Sequence, residues 1–74
     1  MKTFDKTWYK IPKKDRPREG EIFICAAPSG PWGWVVAKAY GAGPDLGCAY
    51  RGWFVELAMA ELFAEALEAK GGDE

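Results

Sequence analysis

The chain has 74 residues, a single domain's length, and contains no histidine, asparagine or glutamine. Ten basic and eleven acidic side chains leave a net charge of −1, far from the strongly basic balance of most nucleic-acid binders. Without histidine, no Ser–His or Cys–His nucleophile can be built, and two cysteines alone give no zinc-ligand spacing.

A chain this short buries only about 60% of its unfolded surface, so its stability is expected to be modest. Four Trp, four Phe and three Tyr help compensate, because each ring buries a large area. The charge is unevenly spread. Residues 1–20 hold seven basic and three acidic side chains, residues 21–52 balance, and residues 53–74 hold Lys70 against six acids. The front is basic and the back acidic, so either the ends attract one another or one end steers a charged partner. The opening MKTFDKTWYK has no apolar signal-type core, and no stretch reaches bilayer-spanning length. A cytoplasmic protein with no membrane contact is the default expectation.

Thr3–Ile11, rich in Thr and aromatic residues, reads as a strand stopped by Pro12. The segment 12–20, PKKDRPREG, is a basic connection between prolines, with the composition of a solvated loop. EIFICAA, 21–27, is the clearest strand. Ile22, Ile24 and Ala26 share one face and Phe23, Cys25 and Ala27 the other, so both faces expect cover. PSGPWG, 28–33, is a turn, and WVVAKAY, 34–40, returns as the second arm of a hairpin. On that arm Val35, Ala37 and Ala39 are small enough to sit beneath a helix. GAGPD, 41–45, is a further turn. LGCAYR, 46–51, is a short strand weakened by Gly47. Cys25 and Cys48 lie in apolar surroundings and are expected as buried free thiols, paired only if their strands are neighbours.

Trp53–Lys70 is the one long helical pattern, with five alanines between 58 and 69 and Gly71 at the capping position. At about 100° per residue, Glu61, Glu65 and Glu68 form one acidic stripe. Val55, Met59, Leu62 and Ala66 form an apolar row. With their apolar neighbours they cover roughly 220°, about twice the arc a surface helix needs. The excess suits a sheet on one flank and a second subunit, as in a homodimer, or a partner protein on the other.

These elements predict an α+β fold, a small antiparallel sheet of three or four strands packed against one C-terminal helix. Residues 1–70 form the domain and 71–74 a disordered tail. The expected core is Ile22, Ile24, Val35, Ala37, Leu57, Met59, Leu62, Phe63 and Ala66.

PREGEIFICAAPSGPWGWVVAKAY, 17–40, resembles hairpins of small SH3-like barrels, the KOW type in particular, in its Pro/Gly–acid step and its Gly–aromatic turn. The glycine spacing differs. No catalytic constellation, cofactor motif or metal set is visible, so the leading expectation is a non-enzymatic protein-binding module. In size, acidic helix and β-then-α order the chain is similar to small inhibitors of phages and mobile elements, anti-CRISPR proteins among them. That resemblance implies stoichiometric occlusion of a larger complex and transfers no residue.

Three sets of side chains are candidates for partner contact. Trp32 stands on a turn stiffened by Pro28 and Pro31, where it serves as an interface anchor or folds back as a lid. Glu61, Glu65 and Glu68 could imitate a phosphate row. Lys13, Lys14, Arg16 and Arg18 could dock an acidic surface. The alternative function is a nucleic-acid-binding module, with the basic N-terminal segment on phosphates and Trp8, Tyr9, Trp32 or Trp34 stacked on bases.

Overall fold

The computed structural model describes residues 1–41 and 43–71. Four strands form one sheet in the order β1 (Lys2–Thr3), β2 (Ile22–Ala26), β3 (Trp34–Tyr40), β4 (Gly47–Phe54), followed by helix α1 (Leu57–Ala69). The α+β class is as expected. The sheet is mixed, because β1 runs parallel to β2 while β2–β3 and β3–β4 are antiparallel. Residues 17–40 do form a hairpin, within an open sheet and not a barrel. The tail residues 72–74 lie outside the described residues.

The N-terminal strand is far shorter than Thr3–Ile11. After Thr3 the chain stays on the edge of β2 through two bonds, Phe4 N–H to the Ile24 carbonyl at 2.8 Å and Ala26 N–H to the Lys6 carbonyl at 3.1 Å. It then coils into 3-10 turns at Trp8–Lys10 and Lys13–Asp15. The coiling has a packing cause. A straight strand would carry Trp8 and Ile11 off the sheet, whereas the turns lay both onto it, 4% and 2% exposed.

Both faces of β2 are therefore covered, as its double apolar alternation requires. On one face Phe23, Cys25, Val35, Ala37 and Ala39 pack under Trp8 and Ile11. On the other, Ile22, Ile24 and Val36 pack under Ala60, Ala64 and Leu67 of α1. This corrects two expectations. The small row Val35, Ala37, Ala39 lies beneath the N-terminal segment, and the helix sits on the Trp34–Val36 face. Within α1 the core is Ala60, Ala64 and Leu67, with Leu57 and Phe63 half-buried, while Met59, Leu62 and Ala66 face solvent. Two alanines at the contact let the helix approach the bulky Ile22, Ile24 and Val36 closely. A Met–Leu row in that place would hold it away.

The helix also starts later than Trp53. Trp53 and Phe54 complete β4, opposite Val35 and Trp34. Glu56, with extended backbone, is the N-cap. At the other end Gly71 takes φ +80° and its N–H bonds the Glu68 carbonyl at 2.9 Å, the left-handed stop its glycine suggested.

β4 carries one irregularity that shapes the surface. Its register slips between Val36 and Ala37, whose partners are Gly52 and Tyr50, so Arg51 is a bulged extra residue. The bulge puts Tyr50 and Trp53 on the same face, three residues apart, with rings 5.2 Å apart in an edge-to-face contact.

Candidate functional site

The candidate surfaces follow from how α1 lies on the sheet. Phe63 packs on β4: its ring is 5.4 Å from that of Phe54 and occupies the space a Cβ on Gly52 would need. Glu68 lies on the opposite flank, its Oε2 3.9 Å from the amino group of Met1 beside β1. The helix thus has an apolar flank toward β4 and an acidic flank toward β1. Met59, Leu62 and Ala66 continue outward from Phe63 by the helical repeat. Val55 is 62% exposed, Met59 51% and Leu62 61%, while Trp53, paired with Val35 and in ring contact with Tyr50, lies on the other face of the sheet.

The sequence candidates divide among separate places. Glu61, Glu65 and Glu68 are all exposed and form the acidic flank, where Glu68 is partly engaged by the N-terminus. Trp32 is 44% exposed on the β2–β3 turn and lies over Gly30, 3.4 Å from where a Cβ would stand. The ring protrudes, as an anchor requires, instead of closing the core. Lys13, Lys14 and Arg18 are exposed. Arg16 is half-buried: its guanidinium stacks 4.8 Å above the Trp8 ring and its Nε donates to the Ile11 carbonyl at 3.2 Å. Of the proposed stacking aromatics, Trp8 is buried and Trp34 half-buried, so neither offers a free face. Tyr9, 84% exposed, and Tyr40, 54% exposed, do. Tyr9 belongs to the stacking set read from the sequence and Tyr40 does not, since nothing in the residue pattern tells which ring turns outward.

The thiols are not reactive groups. Cys25 and Cys48 are both free and lie on β2 and β4, which are not neighbours. Burial, with Cys48 nearby, pushes the Cys25 thiol up to about 12 against a backbone hydrogen bond at Trp8. Burial raises Cys48 to about 11, opposed by the Arg16 charge. Both stay protonated at neutral pH. Burial also raises the Tyr50 phenol, with smaller contributions from Cys48, Cys25 and Tyr9.

Among the described residues no three His, Cys, Asp or Glu side chains converge as a metal set, and no helix is long and apolar enough to cross a membrane. Comparison with family models, curated proteins and solved structures gave no match.

Proposed function

We propose that this chain is a protein-binding module without catalytic machinery, working through the β4-side flank of α1. The exposure of Val55, Met59 and Leu62 carries this reading. Scattered exposed apolar residues need no explanation, but a contiguous row on a small domain marks an interaction surface. Met59, Leu62, Ala66 and Ala69 repeat at intervals of three and four, the spacing of a helix–helix seam. The other apolar side of α1, Leu57, Ala60, Ala64 and Leu67, has the same spacing and is taken by the sheet. A helix from a partner protein, or α1 of a second copy, fits the free seam. Acting without chemistry, such a module would work by stoichiometric occlusion of whatever it docks on. The acidic flank lies away from the seam, where it keeps the molecule in solution and gives the docked pair an orientation.

The test is capture from lysate by the tagged protein and by the Met59→Asp/Leu62→Asp double variant, with nuclease present, alongside sedimentation of the purified chain. Both substituted positions are exposed, so circular dichroism should show the variant folded. A stoichiometric protein partner, or a self-associated species, that the variant loses supports the reading. A monomeric wild type that captures nothing, or a partner held equally by the variant, overturns it.

A further inference from the structure

Two adjoining hollows lie on the sheet face away from α1, far from the proposed seam. One, about 450 Å³, is lined by Lys13, Arg16, Gly43, Pro44 and Leu46. The other, about 210 Å³, is lined by the three tyrosines Tyr9, Tyr40 and Tyr50, with Trp8, Cys48 and Leu46–Gly47 at its base and edge. Leu46 belongs to both, so they form one trough, cationic at one end and aromatic at the other. Together the two volumes fall in the usual range for small-molecule sites, about 300–1,000 Å³.

Arg16 is the informative residue. It is half-buried and held in place by Trp8 and the Ile11 carbonyl, so its position is set before any ligand arrives. Arg16 belongs to neither of the ion pairs Met1–Glu68 and Lys6–Asp5. Its Nε is used, while the terminal nitrogens, which form the fork that grips phosphates and carboxylates, hold no carboxylate. Asp15 and Asp45, on the neighbouring turns, are exposed and do not line the trough. A fixed, unpaired guanidinium with a lysine beside it is built for an anion. The phenol rings next to it supply flat faces, Tyr9 and Tyr40 being mostly open to solvent.

We infer that this trough binds a nucleotide, its phosphate on Arg16 and Lys13 and its base against Tyr9, Tyr40 and Tyr50. Arginine chelation and base–aromatic stacking are the two interactions that single-stranded nucleic-acid sites combine. A free mononucleotide offers the same chemistry. The site is independent of the α1 seam, and either can fail alone.

The experiment is a backbone-amide NMR titration of the full chain with adenosine monophosphate, a short single-stranded oligonucleotide and inorganic phosphate, at low salt. The expected result is shifts confined to Tyr9, Lys13, Arg16, Leu46 and Tyr50, saturating with either nucleotide probe and much weaker with inorganic phosphate. Tyr9→Ala, at an 84% exposed position, should weaken nucleotide binding roughly fivefold or more without unfolding the chain. Arg16→Gln should weaken it further, and Arg16→Lys should fail to restore it, because a point charge lacks the fork. A clear preference for the oligonucleotide makes a single strand the natural source, and equal binding makes it a free nucleotide. No shifts at millimolar nucleotide, shifts located elsewhere, or inorganic phosphate binding as well as the nucleotide would each overturn the inference.

Discussion

Gly52 shows how one absent side chain sets the geometry around it. A Cβ there would stand 2.8 Å from Phe54 Cε2 and 3.1 Å from Phe63 Cε2. The two rings therefore close over the strand because the strand is bare at that point. Gly52→Ala should cost about 1–3 kcal/mol through overpacking, measured by urea denaturation. Gly41 has a backbone reason instead: at φ +79° a Cβ would run into the Asp45 carbonyl of the β3–β4 turn. The cysteines permit a prediction of a different kind. Their thiols are raised in the fold from an ordinary value of 9.0 to about 12 and about 11. The unfolded chain therefore loses these protons first. Their contribution to stability is complete below about pH 9 and disappears as pH rises through 11 and 12. A stability profile should fall over that window, and alkylation of Cys25 at pH 8 should require unfolding. Rapid labelling of Cys25 in the native protein would contradict its burial.

The elements show why parts of the structure could be read from the residues and parts could not. The hairpin 21–40 was legible because both of its arms alternate cleanly and the turn between them is rich in Pro and Gly. The helix was legible as a helix, and its glycine stop was in the right place. Its facing was not legible. With roughly 220° of apolar arc, two seams of equal spacing compete. Hydrophobicity favours the Met59–Leu62 row, while close approach favours Ala60 and Ala64. The sheet beneath α1 presents Ile22, Ile24 and Val36, and against bulk of that kind the alanine seam fits closer. The late helix start has a related cause. Trp53 and Phe54 suit helix or strand, and pairing with Val35 and Trp34 decides for the strand. The N-terminal strand is shorter than its composition suggests, because the aromatic residues at 4 and 8 mimic strand composition while serving as a lid. Trp8→Ala should accordingly cost about 3–5 kcal/mol, as much as a central core residue, though it lies outside the sheet.

Across the whole molecule, a sheet between two unlike layers keeps most of the basic and acidic sequence apart. The lid segment carrying Lys13 and Arg16 covers one face, and the acidic helix covers the other, meeting at Met1 and Glu68. The basic residues proposed from sequence thus do not act as one cluster. Arg16 is fixed at a trough, Lys13 lines it, and Lys14 and Arg18 stand in solvent. They are neighbours in sequence, but the turn at Lys13–Asp15 and the burial of Pro17 distribute them. The unspent apolar surface collects on α1, and the protein-binding reading depends on that helix lying as described. The most direct test is equilibrium denaturation of Leu67→Ala and Leu62→Ala side by side. Leu67 is 5% exposed and Leu62 is 61% exposed. The first change should cost about 2–5 kcal/mol, and the second should stay within about 0.5 kcal/mol of wild type. A large loss for Leu62→Ala with a small one for Leu67→Ala would mean that the helix faces the other way, and that the free seam is part of the core.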